Sequence, residues 1–409
     1  MLNKIWASFF LLGLVAACVQ AFFFGRPEVF PEMISATFEM AKTGFEIALG
    51  LTGIMCLWLG VLRLGEAGGA VDRLSRFFRP LFRKLFPSIP AGHPAEGSIL
   101  MNMAANMLGL DNAATPIGLK AMGQMHELNR EKDVASDDQI LFLVINTSSV
   151  TLLPVTIFTY RAQMGAADPT DVFLPLLIAT FCSTMVGLLV TAAVQKRNLL
   201  DRVILSYLGG TTLAVAGLVL YFVRLDREAM ESQSALLANV LLFLVIILFL
   251  VAALRKKVPV YEVFVEGAKE GFHVAVMIIP YLVAMLVAIG IFRASGALEL
   301  LLGLFRSGAA GLGLDTRWVD GFPTALMKPL SGSGARGMLI ETMKVHGADS
   351  FAGRLSSVIQ GSTETTFYVL AVYFGSVGIR KTRHAVACGL AADLAGIVAA
   401  ILLSYLFFG

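Results

Sequence analysis

Glu364 is the only charged residue in an apolar segment, residues 355–379, that is long enough to cross a lipid bilayer. An ionised carboxylate at that depth is costly and is normally held by a partner, a water-filled cavity or a proton. The polar residues beside it are Gln360, Ser362, Thr363, Thr365 and Thr366. We expect Glu364 to contact a substrate or to carry a coupling proton. A structural ion pair with Lys328 or Arg336 is the alternative.

A second apolar segment, residues 139–160, carries amides and hydroxyls but no carboxylate. Its stretch Val144-Ile145-Asn146-Thr147-Ser148 matches Val358-Ile359-Gln360-Gly361-Ser362, and Val150 takes the place of Glu364. Such groups suit a polar organic molecule, whereas a transition metal would require His or Cys ligands, so we expect no metal site. Hydroxyls that only pack helices together are the alternative.

Two polar, helix-breaking stretches lie between apolar arms, at residues 97–126 and 320–345. Their polar and breaking residues are Asn102, Asn106, Asp111, Asn112 and Pro116 in the first, and Lys328, Pro329 and the run Ser331–Gly337 in the second. Lipid tolerates irregular backbone only where protein or water satisfies its polar groups. Each stretch therefore predicts a re-entrant hairpin with an unwound tip, and an ordinary surface loop is the alternative.

The glycine-rich run of the second tip offers backbone N–H groups at a helix start, and Arg336 adds a positive charge. This pattern favours contact with an anionic group, although glycines that only allow the turn explain it equally. The Lys-Ser/Thr ending of an ATP-binding loop is missing, so we expect no coupling to ATP.

The candidate substrate-binding residues lie on the two hairpins and the two segments that follow them. They are Asn106, Asp111, Asn112, Asn146, Ser148, Lys328, Ser331, Ser333, Arg336, Gln360, Ser362, Thr363 and Glu364. Glu364 and Asp393, a carboxylate inside the last apolar segment, are candidates for coupling to H⁺ or Na⁺. We find no nucleophile elbow, metal-ligand motif or paired acid and base, and so expect no catalytic residues, no enzymatic activity and no other cofactor.

The elements that position these residues are membrane spans, because 57% of the residues are hydrophobic and only 15% are charged. A soluble protein carries about 25% charged residues. Nine nearly charge-free segments predict an all-α polytopic membrane protein with about nine transmembrane helices. These segments are residues 5–25, 47–62, 139–160, 172–195, 203–223, 232–254, 272–292, 355–379 and 385–408.

The distribution of Lys and Arg predicts a cytoplasmic N-terminus in a bacterial inner membrane. Leu14–Cys18 resembles a lipoprotein cleavage site, but the apolar run continues to Gly25 and favours a retained helix. The net charge of +3, without a basic run interleaved with aromatics, does not favour nucleic-acid binding.

The two hairpins occupy corresponding places in an internal repeat. Thr43-Gly44-Phe45-Glu46 matches Glu270-Gly271-Phe272-His273, and the tips align Leu110-Asp111-Asn112 with Leu330-Ser331-Gly332. Five crossings separate the starts of the repeats, so the second is inverted, a pattern typical of secondary transporters. Residues 68–86 and 296–307 predict amphipathic helices beside the hairpins.

With these motifs the chain resembles the Gate, or nucleoside-recognition, family, and within it spore maturation proteins A and B joined end to end. The A-like motif is Asn102–Pro116, and the B-like motifs are Lys328–Gly337 and Gln360–Thr365. The resemblance implies an A-like half at residues 1–200 with the first Gate repeat and a B-like half at 201–409 with the second, inverted repeat.

The sequence is compatible with two functions. The first is a secondary transporter for a small polar solute, such as a nucleoside or an envelope precursor, with its site at the midplane between the repeats. The second is a membrane protein that moves no solute and is a partner in peptidoglycan or envelope assembly or in spore maturation. We expect the lipid bilayer and a small polar solute as partners; a homo-oligomer and an envelope-assembly protein partner stay open.

Overall fold

The structure, a computed structural model, describes residues 2–148 and 150–409, with side chains for all of these except residues 2, 3, 111–113, 227 and 231. The first half of the described chain forms helices α1 (Leu2–Phe23), α2 (Val29–Ala67), α3 (Ala70–Leu85), α4 (Pro94–Met107), α5 (Asp111–Leu128), α6 (Asp137–Thr147), α7 (Val155–Gln163) and α8 (Phe173–Val194). The second half forms α9 (Arg202–Val223), α10 (Arg227–Arg255), α11 (Val260–Ala294), α12 (Ala297–Gly311), α13 (Phe322–Met327), α14 (Gly332–His346), α15 (Phe351–Ser362), α16 (Thr366–Ser376) and α17 (Ala385–Phe408).

Within the described residues, seven helices are long and apolar enough to cross a membrane: α1, α2, α8, α9, α10, α11 and α17. The sequence predicts a continuous helix for each of the remaining two crossings, residues 139–160 and 355–379. In the structure, each of them is interrupted. The first is divided into α6, which ends at Thr147, and α7, which begins at Val155, and the second is α15 and α16 with a break at residues 363–365. Pro154 fixes where α7 begins, because proline lacks a backbone N–H and disfavours helix in the residue before it.

The two predicted hairpins are confirmed, and the alternative of surface loops is wrong. α4 and α5 turn at residues 108–110, and α13 and α14 turn at residues 328–331. The predicted amphipathic helices are present as α3 and α12. The predicted all-helical polytopic membrane fold is therefore confirmed, with seven described helices long and apolar enough to span where the sequence predicts about nine. The proposed division of the chain at residue 200 stays a prediction.

Helices α2 and α11 pack closely against each other and place the two repeats in register. A Cβ atom on Gly44 would lie 3.1 Å from the Val283 backbone, and one on Gly271 would lie 2.7 Å from the Cys56 backbone. Cys56 and Val283 are separated along the chain by the same number of residues as Gly44 and Gly271. The two contacts are therefore equivalent under the symmetry of the inverted repeat. Small residues at such crossings let backbones approach each other in a membrane.

Gly271→Ala is expected to lower the free energy of unfolding by about 1–3 kcal/mol, because the added methyl group overpacks the contact with Cys56. Gly217→Ala in α9 is the matched control, since a Cβ there meets nothing within 4 Å. Thermal unfolding of the purified protein in detergent compares the two variants. An equal effect of both substitutions would show that the α2–α11 contact does not depend on Gly271.

Charged residues join the two repeats at one end of the broken helices, in what we call the buried clamp: Arg161, Asp171, Asp349 and Arg354. The Arg161 side chain is 0% exposed and forms ion pairs with Asp171 at 2.8 Å and with Asp349 at 3.2 Å. Its Nη1 donates to the Ala348 carbonyl at 2.8 Å, and Arg354 pairs with Asp171 at 2.7 Å. This clamp ties the end of α7 to the loop between α14 and α15.

The opposite end carries the exposed clamp: Asp133, Asp137, Lys381 and Arg383. Lys381 pairs with Asp133 at 3.1 Å and Arg383 with Asp137 at 2.8 Å, all with side chains at least 43% exposed. The hydrogen bond from Lys381 lowers the pKa of the Asp133 carboxyl group. Backbone N–H groups of residues 380 and 381 also donate to the Asp133 carbonyl, both at 2.9 Å. Exposed ion pairs contribute little, so this end is held mainly by backbone hydrogen bonds.

Candidate functional site

The breaks in the two discontinuous helices meet each other. The Glu364 backbone N–H donates to the Thr147 carbonyl at 2.7 Å, which joins the break after α15 to the end of α6. A helix end leaves carbonyl and N–H groups without partners inside the helix, and here the other repeat satisfies two of them. The meeting point therefore combines unwound backbone from both repeats.

Each hairpin is hydrogen-bonded, at or next to its turn, to the broken helix of its own repeat. Leu152 N–H donates to the Met107 carbonyl at 2.8 Å, and Phe367 N–H donates to the Pro329 carbonyl at 3.1 Å. Gly109 in the first tip has φ +71°, and a Cβ there would lie 2.5 Å from the Leu153 carbonyl oxygen. Only glycine suits that position, because it adopts positive φ without strain and leaves room for the break.

An amide network connects the first hairpin with both broken helices. Asn106 donates from Nδ2 to Asn146 Oδ1 at 2.8 Å, and the Tyr373 hydroxyl of α16 donates to the same oxygen at 3.2 Å. Asn146 donates in turn to the Phe142 carbonyl at 2.8 Å, and Asn102 donates to the Ala114 carbonyl at 2.8 Å. Asn106 and Asn146 are candidates from the sequence. Tyr373 was missed, although a tyrosine within an apolar segment signals a hydroxyl that needs a partner.

Buried polar side chains with unsatisfied oxygens lie along the breaks and on α17. Within the described part of the chain, the following oxygens have no hydrogen-bond partner: Thr147 Oγ1, Gln360 Oε1, Thr363 Oγ1, Thr366 Oγ1 and both carboxylate oxygens of Asp393. All five side chains belong to buried residues. Buried polar groups are normally paired, so such a cluster needs an explanation, and a bound ligand or ion is one.

Three charges come together around the second break. Asp393 is 1% exposed and Lys328 is 3% exposed, whereas Glu364 is exposed. The Lys328 ammonium group attracts the Asp393 carboxylate, and the Glu364 carboxylate repels it. Lys328 and Glu364 belong to the second repeat, whereas the first repeat contributes amides and hydroxyls near the crossing.

The other candidates have local roles in the structure. Ser331 caps the start of α14 by accepting from Gly334 N–H at 3.0 Å and lies 3.2 Å from the Ser333 hydroxyl. Arg336 donates to the Gly332 carbonyl at 3.2 Å. The Ser148 and Ser362 hydroxyls donate back to carbonyls of their own helices at 2.8 and 2.9 Å, the geometry expected of packing groups. The side chains of Asp111 and Asn112 lie outside the described residues.

The fold and the crossing of broken helices define a polytopic α-helical membrane protein. The chain belongs to the Gate family, described as nucleoside recognition, which matches residues 48–166 and 275–380. These two segments hold both hairpins and both broken helices. Asp393 and α17 lie beyond the second segment.

Two curated relatives match different parts of the chain, consistent with a fusion. Spore maturation protein A of Bacillus subtilis (strain 168) is 42% identical over 183 residues, which are 45% of this chain and 90% of that protein. Spore maturation protein B of the same organism is 54% identical over 154 residues, which are 38% of this chain and 85% of that protein.

Proposed function

We propose that this protein is a secondary transporter for a small polar solute, with its binding site where the two broken helices cross. The observation that carries the proposal is the hydrogen bond from Glu364 N–H to the Thr147 carbonyl, with a hairpin bonded to the broken helix of its own repeat on each side. Discontinuous helices related by an inverted repeat are the usual site of substrate binding in secondary transporters.

The side chains at the crossing suit an uncharged or weakly charged organic molecule. Amides such as Asn106 and Asn146 can donate and accept, and the exposed Glu364 carboxylate can accept from hydroxyl groups. A nucleoside offers both a ribose with hydroxyls and a base edge with donors and acceptors. The family description supports this class of substrate, and an envelope precursor with sugar hydroxyls fits the same groups.

Transport requires the site to open to each side of the membrane in turn, and the two clamps lie at the two ends of the broken helices. We place the N-terminus in the cytoplasm of a bacterial cell and the protein in the inner membrane, because Lys and Arg are concentrated in the loops on that side. In this orientation the exposed clamp faces the cytoplasm and the buried clamp faces outward. The inner end is then the easier one to open.

Glu364→Gln tests the site. A thermal-shift screen of nucleosides and related polar metabolites identifies a solute, and its uptake into proteoliposomes is then measured over a range of pH. We expect the variant to reduce kcat/KM by about ten- to hundredfold, because a hydrogen bond to a charged group is worth about 1.5–3 kcal/mol. Glu32→Gln in the first turn of α2, also exposed, is the matched control. Unchanged uptake at every pH would exclude Glu364 from both substrate contact and proton coupling.

The printed names of the two relatives favour a second candidate, a membrane partner in spore or envelope assembly that moves no solute. This function predicts a tightly bound protein in native membranes and tolerance of substitutions at Asn146, Gln360 and Glu364. Co-purification from native membranes, compared with the thermal-shift screen, separates the two candidates. Neither of them requires a catalytic residue.

A further inference from the structure

We propose that the Asp393 carboxylate and the hydroxyl groups of Thr363 and Thr366 bind a monovalent alkali cation, Na⁺ in particular. The site lies where α17 contacts the break between α15 and α16. This inference builds on the proposed transport function by naming its coupling ion.

Helix α17 approaches the break closely on both sides of Asp393. Gly389, Asp393 and Gly396 are spaced four and three residues apart and therefore share one face of the helix. A Cβ on Gly389 would lie 2.7 Å from Thr366 Cγ2, and one on Gly396 would lie 2.6 Å from Thr363 Cγ2. The two glycines thus bring the threonines against the helix, with the carboxylate between them.

The oxygens that meet there are buried and unsatisfied. Asp393 is 1% exposed, Thr363 3% and Thr366 0%. The two threonine hydroxyls neighbour the carboxylate. Within the described residues, however, neither Asp393 oxygen nor either threonine Oγ1 completes a hydrogen bond of good geometry. A buried carboxylate whose oxygens lack well-formed hydrogen bonds is costly, and a bound cation would stabilise it.

The chemistry of these donors favours an alkali cation. They are hard oxygen ligands, and carboxylate, hydroxyl and carbonyl oxygens suit cations of groups 1 and 2 better than transition metals. The break also leaves carbonyl groups of the last turn of α15 without partners inside the helix, and a Cβ on Gly396 would lie 3.2 Å from the Ser362 carbonyl oxygen. One carboxylate supplies a single negative charge, which balances a monovalent ion.

Two further charges act on Asp393 from neighbouring elements. Lys328, at the end of α13, attracts the carboxylate, and Glu364 in the break repels it. Because Lys328 and Glu364 carry opposite charges, their effects on a bound cation partly cancel. The Asp393 carboxylate is then the main charge that attracts the cation. Lys328 and a proton are the competitors of Na⁺ for this carboxylate.

The test measures the melting temperature of the purified full-length protein in NaCl, KCl and choline chloride at equal ionic strength and fixed pH. We expect NaCl to raise the melting temperature by about 2–4 °C over the other two salts. Asp393→Asn and the isosteric Thr366→Val should abolish this difference. Ser404→Ala is the matched control, because Ser404 is a buried, unsatisfied hydroxyl on the same helix, farther along α17. Binding of radiolabelled Na⁺ to the same proteins provides a direct readout.

A melting temperature equal in all three salts, or a Na⁺ effect that survives Asp393→Asn, would overturn the proposal. Stabilisation that follows pH and not Na⁺ would assign the carboxylate to a proton and overturn it as well. Failure of this site and failure of the transport function are distinguishable. Solute uptake that is independent of Na⁺ contradicts the cation site alone, whereas Na⁺ binding without uptake of any solute contradicts the transport function alone.

Discussion

Replacement of Arg161 by methionine is expected to lower the free energy of unfolding by about 3–5 kcal/mol, the largest stability effect that the structure predicts. The Arg161 side chain is 0% exposed and pairs with two carboxylates, of which Asp171 is also largely buried. Removal of the guanidinium group leaves a buried carboxylate with one of its two cationic partners and the Ala348 carbonyl without its donor. Unfolding in detergent, followed by helical circular dichroism over a denaturant series, measures the change.

Arg383→Met is the matched control from the opposite end of the broken helices. Arg383 and its partner Asp137 are each 43% exposed, so the loss should stay below about 1 kcal/mol. A second variant, Arg161→Lys, keeps the positive charge but loses the planar fork that contacts two acids, and should fall between the other two. Equal losses for Arg161→Met and Arg383→Met would show that the buried clamp does not stabilise the fold more than the exposed one.

A disulfide across the exposed clamp is expected to abolish solute uptake, and reduction is expected to restore it. Val134 and Lys381 form an isolated parallel bridge between the two repeats. Neighbouring parallel strands lie about 4.8 Å apart, within the range of Cα separations that a disulfide spans. The double variant Val134→Cys with Lys381→Cys should therefore cross-link readily. If the site opens at this end during transport, the cross-link stops the cycle.

The background for this experiment is a chain in which Cys18, Cys56, Cys182 and Cys388, all free thiols, are replaced. Both single cysteine variants are oxidised in the same way as controls, and Lys381→Cys alone measures the effect of losing the ion pair with Asp133. Mobility on a denaturing gel after cleavage between the halves measures the extent of cross-linking. Full uptake by a completely cross-linked protein would mean that the exposed clamp stays closed throughout transport.

Much of the fold could be predicted because lipid imposes simple rules on the sequence. Charge-free segments mark the spans, and polar, glycine-containing interruptions mark the hairpin tips, since unpaired backbone is costly in a bilayer. The break at residues 363–365 could not be predicted in this way. No proline lies there, and the unwound turn is held by a hydrogen bond from Glu364 to Thr147 in the other repeat. Local sequence does not encode a partner so distant along the chain.

The sequence names residues of the candidate site but not their tertiary contacts, and their role in binding stays a prediction. Asn106 and Asn146 are both candidates from the sequence, but their hydrogen bond, and that of the Tyr373 hydroxyl with Asn146, depend on how α4, α6 and α16 pack. The sequence does not single out Arg161, yet folding buries its side chain beside Asp349. Asp393 was predicted as a buried carboxylate. Its place beside Thr363 and Thr366 depends on how α17 packs against the second break.

The hydrogen bond between Glu364 and Thr147 has a consequence for how the protein is made. Thr147 belongs to the first segment that matches the Gate family and Glu364 to the second, so neither half of the chain alone contains a complete crossing. Translation as one continuous polypeptide supplies the halves in equal numbers and keeps their local concentration high, as a covalent tether does for any two binding partners. The linkage between the halves thus guarantees a one-to-one stoichiometry that two separately expressed polypeptides would have to achieve by diffusion in the membrane.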